Sequence, residues 1–239
     1  MTLQAGHSAI ITGASSGIGQ AIALALAREG LALRLVGRDT DRLEATARKA
    51  KMHARDVGWS AVDLAESEQI DDFAAQLQRE PIAVLVHSAG LYIRGSHADR
   101  TADEYARAFA ANVSGPMQLT RRLLAALKRS QGQVVFINST QGLTPSANVG
   151  MFAATQHALR AMADTLRDEV NGDGIRVLSI YPGRTATPRQ AKIFEMEGRP
   201  YAPERLLQPE DIATMIVSAL KLPRTAEVTN LTIRPMLKA

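Results

Sequence analysis

The feature that most constrains the fold of this chain is the regular alternation of short β-rich runs with segments of helical periodicity. Strands are predicted at 8–12, 32–36, 84–87, 134–138, 176–180 and 228–233, with a weaker seventh at 59–62. Helices are predicted between them, at 18–29, 41–51, 67–78, 102–129, 152–171 and 210–220. Strands and helices in alternation build a parallel sheet with right-handed crossovers and helices on both faces. The chain is therefore predicted to be α/β, with about seven strands.

Length and composition favour one domain. The chain has 239 residues, of which 46% are hydrophobic and 22% charged, as in an ordinary globular protein. No linker, repeat or low-complexity segment divides it, so we predict a single domain over residues 1–239.

Several classes of site are not expected. The chain has no cysteine, which excludes disulfides, thiolate catalysis and cysteine zinc sites, and its five histidines lack metal-ligand spacing. We therefore predict no metal. The net charge of +4 comes from arginines scattered along the chain, so no nucleic-acid partner is predicted. Apolar stretches are too short for a membrane span and no signal peptide is recognised, so the expected location is the cytoplasm.

A glycine-rich turn joins the first strand to the first helix. Residues 12–19 read Thr-Gly-Ala-Ser-Ser-Gly-Ile-Gly. Gly13 permits a tight turn, Gly17 lets the backbone approach a pyrophosphate, and Gly19 lets the helix pack closely on the strand. Amides at the helix N-terminus would face the anion. The pattern predicts a dinucleotide site on a Rossmann-type, doubly wound sheet, with an ordinary glycine turn as the alternative.

The end of the second strand indicates which dinucleotide is bound. A cofactor site that selects NAD usually has an acidic residue here, but this chain has Gly37 followed by Arg38. A guanidinium is suited to a 2′-phosphate, so NADP(H) is predicted over NAD(H). Alternatively, Arg38 is a solvated strand end that pairs with Asp39 or Asp41.

Motifs in order from residue 12 to residue 187 resemble those of the short-chain dehydrogenase/reductase family. Residues 12–19 resemble its glycine motif, and 87–90, His-Ser-Ala-Gly, match its Asn-Asn-Ala-Gly at the last two positions. The resemblance implies hydride transfer between NADP(H) and a carbonyl or alcohol carbon. It also implies cofactor contacts from Gly13, Ser15, Ser16, Gly17, Ile18, Gly19, Arg38, Asp63, Leu64, Ser88, Ala89, Gly90, Gln156, Pro182, Gly183 and Thr187.

The catalytic positions depart from the family pattern. The resemblance implies that Ser139 positions the substrate oxygen and that Asn112 supports a proton path. The family's proton-transferring Tyr falls on Phe152, and the Lys that lowers its pKa falls on Gln156. None of the four tyrosines is followed by Lys four residues later. Both replacements keep the approximate shape and remove the proton chemistry.

Three other side chains are weighed as substitute proton donors. Tyr181 precedes Pro182 near the expected nicotinamide, and packing is its alternative role. His157 is adjacent to Gln156 but points about 100° away on a helix, which favours a surface or subunit-interface position. His87 ends a strand, where a partly buried, satisfied histidine is the ordinary interpretation.

Two functions remain open from the sequence. One is an NADP(H)-dependent oxidoreductase with impaired or altered proton delivery, acting on a small carbonyl or alcohol. The other is a catalytically inactive pseudoenzyme that senses NADP(H) or serves as a partner subunit. The segment 185–207 is predicted to be a substrate-side loop. Because family members often pair through their long helices, here 102–129 and 152–171, a homodimer or homotetramer is expected.

Overall fold

The computed structural model describes residue 3 and residues 7–237, and the two ends of the predicted domain lie outside that range. Seven strands form one sheet in the order β3-β2-β1-β4-β5-β6-β7, and every pair is parallel. The strands are β1 Ser8–Thr12, β2 Ala32–Gly37, β3 Val57–Ala61, β4 Ile82–His87, β5 Gln133–Ile137, β6 Arg176–Pro182 and β7 Asn230–Ile233. The predicted fold class is confirmed.

In the described part of the chain, eight α-helices connect or follow the strands. They are α1 Gly17–Arg28, α2 Thr40–Ala50, α3 Ser67–Leu77, α4 Ala102–Phe109, α5 Gly115–Ser130, α6 Gly150–Val170, α7 Pro188–Met196 and α8 Pro209–Leu220. Within the described residues, no helix is both long enough and apolar enough to cross a bilayer.

The sheet separates two hydrophobic cores, one on each face. Helices α1, α2 and α8 pack on the first face, and α3, α5 and α6 pack on the second. Strand β1 contributes Ile11 to the first core and its neighbour Ile10 to the second, since successive side chains point to opposite faces. All five residues of β1 are buried, and its three central residues, 9–11, are apolar, as expected for a strand covered on both faces.

The predicted helix 102–129 is interrupted. A π-helical turn, Ala110–Ser114, separates α4 from α5. Pro116 has no N–H to donate and its ring would clash with the carbonyl four residues earlier, so a regular α-helix cannot continue through it. Gly115 adds a second constraint, because a Cβ there would lie 2.0 Å from the Leu64 carbonyl oxygen. The interruption places Asn112 inside the π turn.

The predicted loop 185–207 contains helix α7 and a short 3₁₀ turn, Pro203–Arg205. Thr187 caps α7 by accepting a hydrogen bond from the Gln190 amide at 3.1 Å, and Pro188 occupies its first position. Backbone hydrogen bonds join the two ends of the segment, from the Ala186 amide to the Leu207 carbonyl at 2.7 Å and from the Leu207 amide to the Arg184 carbonyl at 3.1 Å.

Candidate active site

A cleft of about 540 Å³ opens at the carboxyl edge of the sheet, over the strands where the order reverses between β1 and β4. All nineteen residues predicted from the sequence to form the site line it. They are Gly13, Ser15, Ser16, Gly17, Ile18, Gly19, Arg38, Asp63, Leu64, Ser88, Ala89, Gly90, Asn112, Ser139, Phe152, Gln156, Pro182, Gly183 and Thr187.

The glycine turn has the close packing expected of a phosphate cradle. Gly13 has φ +69°, and a Cβ on it would lie 2.7 Å from the Ala89 amide nitrogen. A Cβ on Gly19 would lie 2.3 Å from the Gly13 carbonyl oxygen, so helix α1 can approach the turn only with glycine there. The first turn of α1 carries no acidic residue, no side chain caps its amides, and its residues 17–19 line the cleft.

The turn is joined to the neighbouring motif through Thr12. Its Oγ1 accepts hydrogen bonds from the amides of Ser88 at 3.1 Å and Ala89 at 3.2 Å. On the opposite wall, the Thr187 Cγ2 would lie 3.0 Å from a Cβ on Gly17. The motifs after β1, β4 and β6 thus converge on one pocket.

The cleft is strongly cationic. Six arginines line it against three carboxylates, an excess of three positive charges: Arg38, Arg42, Arg94, Arg107, Arg184 and Arg189 against Asp39, Asp63 and Glu197. Such a surface attracts a polyanionic ligand and raises its local concentration.

Arg38 is 63% exposed and lies 3.7 Å from Asp63. The alternative prediction, that Arg38 pairs with Asp39 or Asp41, is wrong, because Arg38 pairs with Asp63. Asp39 instead caps α2 by accepting from the Arg42 amide at 3.1 Å and pairs with the Arg42 side chain at 3.2 Å. The Asp63 carboxylate is shared with Arg107, 2.8 Å away.

Hydrogen bonds fix the helix residues behind the cleft. The Asn112 side chain accepts from the Leu91 amide at 2.6 Å and donates to the Leu91 carbonyl at 2.9 Å and to Thr155 Oγ1 at 3.0 Å. It therefore ties the π turn both to the segment after β4 and to α6. Ser139 Oγ accepts from the Gln141 amide at 3.2 Å, which leaves its own proton available to the cleft.

Phe152 and Gln156 lie one turn apart on α6, and both line the cleft. The Gln156 side chain is buried, and its amide nitrogen lies 3.4 Å from Thr155 Oγ1. The ring of Tyr92 meets the Phe152 ring edge to face, with centroids 5.0 Å apart. Tyr92 is the one tyrosine of the chain that lines the cleft, and the structure gives its hydroxyl no hydrogen-bond partner among the described residues.

The substitute donors weighed from the sequence lie elsewhere. Tyr181 is buried outside the cleft, and burial raises the pKa of its hydroxyl, so the interpretation as packing replaces the catalytic one. His157 is exposed and its Nδ1 lies 2.9 Å from the Ala153 carbonyl oxygen on its own helix.

His87 lies under the cleft rather than in it. Its Nε2 is 2.8 Å from Thr120 Oγ1, and its ring stacks on Phe136 with centroids 4.9 Å apart. Burial lowers its pKa to about 3. It is a neutral core residue, as the ordinary interpretation expected.

Many further cleft residues were missed from the sequence, and five of these are Tyr92, Arg94, Arg184, Arg189 and Glu197. Four of them follow the carboxyl ends of β4 or β6 closely, a position that predicts proximity to a ligand in an open α/β sheet. Glu197 carries no such signal.

The residues present fit a nicotinamide dinucleotide. The glycine cradle, the helix N-terminus above it and the excess of arginine match a pyrophosphate with further phosphate. No group of three or more His, Asp or Glu side chains within residue 3 and residues 7–237 is placed to hold a metal.

Comparisons with known proteins agree with this geometry. The family model described as short chain dehydrogenase matches residues 7–198. The chain is 33% identical over 238 residues to a glycine betaine reductase of Emericella nidulans, covering 96% of this chain but only 19% of that longer protein.

Two solved structures are similar over nearly their full lengths. One is an alcohol dehydrogenase from Thermococcus sibiricus complexed with 5-hydroxy-NADP, 30% identical, with a TM-score of 0.86 and 98% of each chain covered. The other is L-sorbose reductase from Gluconobacter frateurii complexed with NADPH and L-sorbose, 27% identical, with a TM-score of 0.87 and 96% and 95% coverage. The chain belongs to the short-chain dehydrogenase/reductase family.

Proposed function

We propose that this protein is an NADP(H)-dependent oxidoreductase acting on a small carbonyl or alcohol, with proton delivery altered from the family pattern. One observation carries the proposal: every residue that the family resemblance assigned to cofactor or substrate lines a single cationic cleft. When bound, the cofactor would supply or accept a hydride at its nicotinamide.

The preference for NADP(H) over NAD(H) is supported by the charges after β2. Arg38 and Arg42 line this end of the cleft, whereas the nearby Asp39 carboxylate is engaged at the N-terminus of α2. A carboxylate so engaged is poorly available to ribose hydroxyls, while two guanidiniums favour a 2′-phosphate. Both solved structures described above carry NADP-type cofactors.

Proton delivery must come from a group other than residues 152 and 156. Ser139 lines the cleft, and its hydroxyl accepts from the Gln141 amide, so it can donate to a substrate oxygen and orient it. Tyr92 places a phenol beside Phe152, on the wall where the family's own phenol would be. We propose that Tyr92, or water that it orders, supplies the proton to the substrate oxygen.

A second function, an inactive NADP(H)-binding pseudoenzyme, is favoured by one observation. Phe152 and Gln156 keep the shape of the cleft without a titratable group, and the Asn112 side chain is fully engaged in structural hydrogen bonds. This function predicts cofactor binding without turnover. The expected homodimer or homotetramer stays a prediction under either function.

The experiment is an NADPH oxidation assay over a panel of aldehydes and ketones, with the wild type, Phe152→Tyr and Phe152→Tyr/Gln156→Lys compared. Slow substrate-dependent oxidation by the wild type, raised by about 10² to 10⁴ in the double variant, supports the oxidoreductase. Absence of turnover in the wild type, with NADPH still bound and activity appearing only in the double variant, supports the pseudoenzyme. Wild-type turnover that neither variant changes would place the chemistry outside this site.

A further inference from the structure

A cluster of arginines lies at the end of the cleft opposite Arg38. Arg184 follows β6 and Arg94 follows β4, whereas Arg38 follows β2. Strands β2 and β6 are separated by β1, β4 and β5, so the two ends of the cleft are roughly 19 Å apart at ordinary strand spacing. The cluster is therefore distinct from the cationic group near the proposed adenosine site.

One carboxylate holds this cluster together. Arg184 Nη2 donates to both oxygens of Glu197, at 3.0 and 2.8 Å. Arg94 lies 3.5 Å from the same carboxylate and Arg199 3.6 Å from it. Within the described part of the chain, none of the three arginines has another acidic partner. Three cations thus share one anion, which leaves an excess of two positive charges.

The pairing leaves hydrogen-bonding capacity unused. Arg184 Nη1 is buried and has no partner among the described residues, and the Arg94 contact at 3.5 Å is at the limit of a hydrogen bond. A buried guanidinium N–H without an acceptor is unfavourable. The Arg184 guanidinium also lies over the Phe194 ring, with its Cζ 4.8 Å from the ring centroid, so it would have to turn for this nitrogen to meet an anion in the cleft.

The cluster lies beside the proposed reaction centre. Arg94 is two residues from Tyr92, whose ring contacts Phe152, and Arg94, Arg184 and Glu197 all line the cleft. Arg199 contacts Glu197 but does not line the cleft. An anionic ligand group bound here would therefore contact Arg94 and Arg184 while the remainder of the ligand reached Tyr92 and Phe152.

We propose that Arg94 and Arg184 form an anion subsite that selects substrates bearing a carboxylate. The inference rests on the proposed oxidoreductase function in taking the ligand of this subsite to be the substrate. Guanidinium groups match the planar geometry of a carboxylate and form charge-assisted hydrogen bonds to it.

The experiment is calorimetric titration of the protein, with and without saturating NADP⁺, using 4-acetylbenzoate and its methyl ester. The two ketones differ in charge, and neither can be oxidised by the cofactor. We expect the acid to bind at least tenfold more tightly than the ester. Arg94→Gln should remove that preference while Glu197 keeps its two bonds to Arg184, and Arg199→Gln, the matched control, should retain it.

Equal affinities of the wild type for the acid and the ester would overturn the subsite. An equal loss of the preference for the acid in Arg94→Gln and in Arg199→Gln would overturn it as well. Benzoate serves as a smaller probe, so absence of binding by both carboxylates also counts against it. Failure of NADP(H) to bind would refute the proposed function. The titration without cofactor would still measure the preference for the carboxylate and so test the subsite on its own.

Discussion

Protonation of His87 should make the folded protein less stable in mild acid. Thr120 Oγ1 lies 2.9 Å from the Pro116 carbonyl oxygen and donates its proton there, so it accepts from His87 Nε2–H. The other ring nitrogen, Nδ1, is buried and has no hydrogen-bond partner among residue 3 and residues 7–237. A proton on Nδ1 would place a charge in a buried site without an acceptor, which is why the pKa is lowered to about 3.

The magnitude follows from proton linkage. The unfolded chain binds a proton at His87 near pH 6.5, whereas the folded chain does so only near pH 3. Between these values the unfolded state holds more protons, so stability falls as the pH falls. At about 1.36 kcal/mol per pKa unit, the loss from pH 7 to pH 5 is about 2 kcal/mol.

Urea unfolding of the wild type and His87→Gln at pH 7 and pH 5 measures this loss. Gln keeps a donor for Thr120 and does not titrate, and all other groups cancel in the comparison. The difference in unfolding free energy between the two proteins should shift by about 2 kcal/mol in favour of the variant at pH 5. Parallel pH dependence of the two proteins would refute the burial argument.

Three further predictions concern the cleft. Arg38→Gln should weaken NADPH binding about tenfold and leave NADH binding unchanged, because an exposed charge-assisted hydrogen bond contributes near the lower end of about 1.5–3 kcal/mol. Calorimetry measures both affinities, and Arg48→Gln, an exposed control outside the cleft, should leave both unchanged. Tyr92→Phe should lower kcat by about 10² or more with little change in NADPH affinity, measured on any substrate that the panel yields. Gly13→Ala should lower the Tm by roughly 2–8 °C, since φ +69° alone costs about 1–2 kcal/mol and each kcal/mol shifts the Tm of a chain of this size by about 2–4 °C, before the contact with Ala89 is added. An unchanged Tm would show that the turn relaxes freely.

The fold was predictable because its signals are local. Short β-rich runs such as β1, with its apolar centre at 9–11, and helical periodicity such as that of α1 predict buried elements directly, and their alternation limits the topology. The interruption before α5 could also have been predicted from the sequence, because Pro116 is incompatible with a regular α-helix that continues through it. The helix within 185–207 was missed although Thr187 and Pro188 form an ordinary helix start.

The cleft was only partly predictable, since several of its residues meet only in three dimensions. Arg94 and Glu197 lie 103 positions apart, and no motif joins them. The sequence favoured Tyr181 as a candidate donor because of its neighbour Pro182, but the structure buries Tyr181 outside the cleft and places Tyr92, which was not considered, in it. The sequence shows that Phe152 and Gln156 stand where the family has Tyr and Lys. It does not show that the phenol of Tyr92 lies next to Phe152.

The central claim is that the cationic cleft binds NADP(H), and calorimetric titration of the purified protein with NADPH and NADH tests it most directly. We predict micromolar binding of NADPH, about −8 kcal/mol, with NADH bound more weakly. Absence of NADPH binding would contradict the account, and NADH bound as tightly as NADPH would contradict the role proposed for Arg38.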